Sequence, residues 1–269
     1  MSDRFLAYAL VALAASILPA SILPAPSMAA GPAITADNAD RTPCEGSPFT
    51  GGPDEDTIHG DRHDNEICGW GGHDTLFGHQ GDDVLRGSGG RDYLGGGLGA
   101  DRLNGRSNDD TIEGGDGNDV IDADTGLDII SGGRGDDEIW GGGDADVAGG
   151  GPGYDFIEGD YGDDRLRGGP GRDTILGSRS DDLARGGRGN DALYGGFGRD
   201  VLDGGPGHDL IDGWRGRDLA RGGPGDDVIH LDDDVAGNDV ASCGDGDDLV
   251  VIDAGDAADS DCETVRTRG

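Results

Sequence analysis

The sequence predicts an all-β chain wound as a parallel β-roll, a β-solenoid of about ten 18-residue coils with terminal caps. Three observations predict it: an unbroken nine-residue period, an apolar side chain at one fixed place of each period, and glycine at several others. From Gly51 to His230 the chain divides into twenty nonapeptides without insertion or deletion. GGPGRDTIL (Gly168–Leu176), between GDYGDDRLR and GSRSDDLAR, shows the pattern.

Each place has a physical reading. The first is Gly in every unit but one, where Ala123 stands. Gly at the first place, often at the second and usually at the fourth is expected to permit the positive φ that tight turns need and to let carbonyls turn toward a common point. The eighth place is Ile or Leu in seventeen units and Ala148, Ala184 or Ala220 in the other three. The last three places are rich in Ile, Leu, Val and Thr, whose side chains alternate in direction along a short strand. A unit is then a turn plus a very short strand, and two units complete a coil with one aliphatic side chain from each strand pointing inward. Ten coils at about 4.8 Å each give a rod of roughly 48 Å.

The sixth place carries the chemistry. It is Asp56, then Asn65, then Asp in every later unit. Turns on one edge recur every 18 residues, so Asp56, Asp74, Asp92, Asp110, Asp128, Asp146, Asp164, Asp182, Asp200 and Asp218 form one ladder. Asn65, Asp83, Asp101, Asp119, Asp137, Asp155, Asp173, Asp191, Asp209 and Asp227 form the other. The insertion Leu231-Asp232-Asp233 breaks the phase, after which two further units place Asp239 and Asp248 at the sixth position. Carboxylates stacked at strand spacing repel one another. Calcium binds six to eight oxygens at about 2.3–2.6 Å, mixing carboxylates with the backbone carbonyls that glycine turns present. The sixth-place aspartates are therefore the candidate metal ligands. Nine gaps on each of two edges admit at most eighteen ions, whose +36 matches the formal net charge of -36. One aliphatic residue per strand is a thin core for a glycine-rich backbone, so ion binding is expected to supply folding free energy. Asn65 and His63 weaken their turn, and Asp54, Asn108, Asp144 and Ser180 replace the fourth-place Gly, with Ser180 the least tolerant of positive φ.

GGDGNDVID (Gly114–Asp122), GGRGDDEIW (Gly132–Trp140) and GGPGHDLID (Gly204–Asp212) resemble the haemolysin-type or RTX calcium-binding repeat. The resemblance spans about two-thirds of the chain. It implies a parallel β-roll with multiple calcium ions held between successive turns on each edge. Many proteins of that family carry a C-terminal secretion signal, whereas this chain shows an N-terminal one.

Composition and the chain ends set the expected address. Residues 1–29 read as a signal peptide cleaved after Ala29 or Ala30, so the protein is expected to be secreted. No later apolar stretch is long enough for stable membrane insertion. The 20 basic residues are all Arg against 56 acidic ones, which argues against nucleic acid or an anionic membrane as partner. Export supports reading the four Cys as disulfides, most economically Cys44–Cys68 and Cys243–Cys262, with the two other pairings open. Residues 30–50 read as an N-terminal linker or cap, and residues 231–269 as C-terminal repeats and a disulfide-closed cap.

No catalytic constellation is present: no HExxH, no GxSxG and no P-loop Lys. Asp82-Asp83 and Asp136-Asp137 recur too regularly for a glycosidase pair and fit calcium turns. His59, His63, His73 and His79 offer at most a weak transition-metal site, and Arg134-Gly135-Asp136 falls inside a regular unit. Trp70, Trp214, Tyr93 and Trp140 are expected at the surface, where they offer a sugar or partner contact. The reading is a non-catalytic, secreted calcium-binding β-roll that folds on calcium outside the cell. The alternative is a calcium-dependent accessory or adhesion module for an extracellular enzyme, a polysaccharide or a cell-surface partner.

Overall fold

A computed structural model describes residues 47–232 and 239–268. Among them the chain forms twenty-five strands and no helix, and hence no helix long and apolar enough to cross a membrane. Successive strands alternate between two sheets, one of thirteen and one of twelve strands. All pairings are parallel, and up to His230 in-register partners lie 18 residues apart, as Ile67 with Leu85 and Leu85 with Leu103. The nine-residue period thus becomes a roll of about twelve coils. The coils beyond ten come from Phe49–Thr50 and from strands that follow the insertion.

The insertion does not disturb the winding. Val228 pairs with Leu249 and Leu219 with Val240, each at an offset of 21, so the three extra residues are absorbed outside the strands. The tail expected only to close the roll also extends it. Ala257–Ala258 adds to Val240–Asp245, and Thr264–Thr267 adds to Leu249–Ile252. Cys243 and Cys262 are bonded as expected. Cys68 is disulfide-bonded too, while its expected partner Cys44 and the expected signal segment lie outside the described residues.

Strands are mostly six residues long, not three. Thr75–Gln80 covers places seven to nine of one unit and one to three of the next. The backbone ladder continues where the side-chain alternation stops: His79 pairs with Gly97 and Gln80 with Leu98. Side-chain periodicity reports only the half of the strand that packs a core. That core is the file of eighth-place residues, fully or almost fully buried from Ile67 to Ile229, with Ala148, Ala184 and Ala220 in line.

Positive φ is concentrated at the second and fourth places. Second-place His79, Arg106 and Trp214 adopt it, as do fourth-place Asn108, Asp144 and even Ser180 at 82°. The fourth-place requirement is steric as well. A Cβ on Gly90, at φ +127°, would sit 1.4 Å from the carbonyl oxygen of Gly72 one coil earlier. Third-place Gly71 has no such neighbour, its nearest contact being 3.8 Å away. We therefore expect Gly90→Ala to destabilise the folded roll by about 2 kcal/mol or more and Gly71→Ala to be nearly neutral. Thermal unfolding of both variants in millimolar calcium checks the contrast.

Candidate metal centre

The turns between sheets bring the sixth-place residues into the two expected files. Every one from Asp74 to Asp227, with Asp239 and Asp248, is buried to 2% exposure or less. Their orientation is fixed by one repeated bond. The backbone N–H of each sixth-place residue donates to Oδ1 of the Asp one coil later: Asp74 to Asp92, Asp83 to Asp101, Asp146 to Asp164 and Asp191 to Asp209, at 2.7–2.8 Å. The file crosses the insertion intact, since Asp218 and Asp227 donate to Asp239 and Asp248 at 2.8 Å. One carboxylate oxygen of each Asp is thus tied to the main chain.

The other is not. From Asp74 to Asp209, and at Asp227 and Asp248, Oδ2 is buried without a hydrogen-bond partner among the described residues. A buried carboxylate oxygen left without a partner is costly. Most of these oxygens face a first-place glycine, and in turns such as those of Asp83, Asp101 and Asp191 a carbonyl from the following coil lies beside them; Ala123 and Cys243 hold the first place in the turns of Asp128 and Asp248. A Cβ on Gly78 would meet Asp83 Oδ2 at 2.4 Å and the Gly96 carbonyl oxygen at 2.6 Å. On Gly186 the corresponding distances to Asp191 Oδ2 and Gly204 oxygen are 2.4 and 2.7 Å. The first-place glycine gives room for this close approach and does not adopt positive φ, which corrects the expectation that all turn glycines serve the same purpose; Ala123 and Cys243 fill that place in two turns. A repeated cradle of one carboxylate and one carbonyl oxygen from adjacent coils fits a hard, oxygen-seeking cation such as calcium.

The ends of the files differ. Asp56 Oδ2 accepts from its own turn's Gly52 N–H at 2.7 Å, and Asn65 Oδ1 accepts from Asp61 N–H at 2.7 Å, so the first coil presents no orphaned oxygen at either place. At the far end the files continue onto residues that periodicity missed. Asp239 N–H donates to Asp256 at 3.3 Å and Asp248 N–H to Glu263 at 3.0 Å. Their offsets of 17 and 15 residues hide them from any nine-residue frame. Fifth-place residues form a partial outer file as well, Asp82 Oδ1 accepting from Ala100 N–H and Asp136 Oδ1 from Tyr154 N–H, each at 2.9 Å.

Of the four histidines the structure brings together only His59 and His79, whose ring nitrogens are 3.1 Å apart and whose rings stack with Phe77. His63 turns to Asp61, and His73 Nδ1 accepts the Arg91 N–H at 2.7 Å. Trp70 is exposed as expected, and Tyr93 is half-buried with its hydroxyl donating to Glu113 at 2.7 Å. Trp140 is not at the surface: it is 7% exposed, with its ring 6.1 Å from that of Phe156 on the neighbouring strand.

Burial raises the ladder carboxyls far above the ordinary carboxylate range. Asp182 is pushed up to about 9, by desolvation first and then by the charges of Asp164 and Asp200. Desolvation followed by like-charged neighbours takes Asp110, Asp146 and Asp209 to about 8 and Asp101 and Asp137 to about 7, against the backbone hydrogen bond that lowers each. A group whose pKa is raised on folding stabilises the fold below its unfolded value and ceases to as pH climbs through the folded one. Without metal, the roll is therefore favoured by acid and undermined between about pH 6 and 9. Chelator-treated protein is expected to show more β-signal in circular dichroism at pH 4.5 than at pH 8. The opposite order would contradict the buried ladders.

The family model described as the RTX calcium-binding nonapeptide repeat matches residues 49–76, 69–103, 95–130, 124–157, 158–193, 185–220 and 203–235. No curated protein matches the chain.

Proposed function

The chain belongs to the RTX calcium-binding nonapeptide repeat family, whose repeats bind calcium, and we propose that its roll folds only as calcium is taken up, outside the cell. The observation that carries this reading is the file of buried, unpartnered Oδ2 atoms beside first-place glycines. Bound calcium supplies the positive charge that lets these carboxyls remain ionised at neutral pH. The protein's own part is to hold the donors. The main-chain N–H fixes Oδ1, which leaves Oδ2 aimed at the carbonyl of the next coil. The proposed ligands are Asp74, Asp83 and their successors through Asp248; Asp56, already satisfied by Gly52 N–H, contributes least.

Extracellular calcium modules bind at about 0.1–1 mM, well above cytosolic free calcium. An exported chain of this kind stays open inside the cell and closes outside, which gives the expected signal segment a purpose. The role is structural or interactive, with the 51–230 repeats as the calcium-dependent body.

In circular dichroism at pH 7.5 the metal-free chain is expected to be disordered, to gain β-signal cooperatively near millimolar calcium, and to ignore the same concentration of magnesium. A chain already folded in chelator would overturn the reading. Asp146→Asn keeps the Oδ1 acceptor and removes one charge from the middle of a file. It should shift the calcium midpoint upward, by about two- to threefold if one site among many is weakened. A midpoint unchanged in this variant and in Asp137→Asn would remove these residues from the ligand set.

A further inference from the structure

Away from both edges, the main anomaly of the molecule lies on the outer face of the twelve-stranded sheet. Its ninth-place row reads, in register, Gly149, Arg167, Arg185, Asp203, Arg221. Arg165 stands beside Arg167 at the seventh place of the same strand. All four arginines are exposed, and in a chain with 56 acidic residues none of them forms an ion pair among the described residues. Several arginines in the edge turns are paired, Arg91 with Asp109 at 2.8 Å, Arg134 with Asp116 at 3.5 Å, and Arg199 with Asp181, whereas others such as Arg172 and Arg217 are not, among the described residues. Asp203 interrupts the row but pairs with neither neighbour.

Arg167 and Arg185 are direct neighbours on adjacent parallel strands, about 4.8 Å apart. Like charges placed opposite one another destabilise a sheet. The carboxylate files pose the same problem with the opposite sign, and there the turns are built to receive a counter-ion. We propose that this strip receives one too: a linear anionic polysaccharide, lying along the roll axis, whose carboxylate or sulfate groups pair with Arg165, Arg167, Arg185 and Arg221.

Several features select that occupant. Arg167 and Arg221 are three coils apart, about 14 Å, so a single small anion cannot span them and a polymer can. A guanidinium pairs bidentately with planar or tetrahedral oxyanions. Alongside the arginines runs an aliphatic row, Val147, Leu183, Val201 and Leu219, which suits the C–H faces of sugar rings. The arginines occupy a narrow strip, the outward seventh and ninth places, with third-place Pro170, Arg188 and Pro224 exposed beyond it on the same strands. The strip is bordered by turns carrying exposed or half-buried Asp163 and Asp181 on one edge and exposed Asp226 on the other. Those borders repel a bilayer or a duplex broad enough to overlap them, and leave room for one thin chain. The inference rests on the edges being loaded with calcium, because only then do the arginines dominate the local field over the charge of -36.

The test uses the full chain in 5 mM calcium (about five times the upper end of the range for extracellular modules), with circular dichroism read in the same buffer. Binding is measured by biolayer interferometry to short oligogalacturonates and to dextran sulfate, with neutral dextran, single-stranded DNA and phosphatidylglycerol vesicles beside them. The two sugar arms separate carboxylate from sulfate as the preferred group. The folded protein should bind at least one of the two and not neutral dextran. The triple variant Arg167→Thr, Arg185→Thr, Arg221→Thr should keep the calcium-induced spectrum and lose about tenfold or more in affinity, the scale of three exposed charge contacts. Arg199→Thr, which alters an edge arginine, should bind as the parent does. A folded parent that ignores both anionic sugars, or a folded triple variant that binds undiminished, overturns the proposal. Tighter binding to DNA or vesicles than to either sugar overturns the choice of occupant. A chain that fails to fold in calcium overturns the calcium reading and this one together.

Discussion

Everything in this structure depends on stacking acids. A parallel roll with an 18-residue coil must repeat each turn residue at strand spacing, so a carboxyl placed once in a turn is placed in every turn above it. Two such files run through the edges with almost no access to solvent. Their desolvation and mutual repulsion raise the ladder carboxyls and oppose folding while those groups are charged and uncompensated. The inner file of Ile and Leu sets which way the strands face. It is one residue deep along the whole roll.

The main chain does more of the orienting than the side chains do. Asp Oδ1 is fixed by a backbone N–H from the previous coil, and glycine at the first place keeps Oδ2 and a carbonyl within reach of one another. These constraints are local and recur along most of the roll. The site is therefore not assembled from distant parts of the sequence, as in most metal centres. It is a by-product of winding, repeated as often as the winding repeats.

That explains what could be read in advance. The eighth-place aliphatics and the sixth-place aspartates impose a period on the letters themselves, so the roll, its inner file and the two aspartate files were all legible. Strand length was not, because the second half of Thr75–Gln80 is held by backbone pairing that leaves no side-chain signature. The two uses of glycine, close approach at the first place and positive φ at the second and fourth, look alike as letters and separate only in coordinates. Asp256 and Glu263 extend the files from outside the period, at offsets set by the last loops. The arginine row is visible only once alternate units are sorted into two sheets, because in the sequence its members are scattered among acidic turns.

The alternation of successive units between sheets has a consequence for how such a chain can lengthen or shorten during evolution. Loss or gain of eighteen residues removes or adds a whole coil and leaves every other residue on its own face. Loss or gain of nine transfers each downstream strand to the opposite sheet, so the arginine row would change sides while the aspartate files merely exchanged edges. Selection for folding alone is blind to that difference. A surface with a partner is not, and in a lineage that uses one face, repeat number should drift in steps of two.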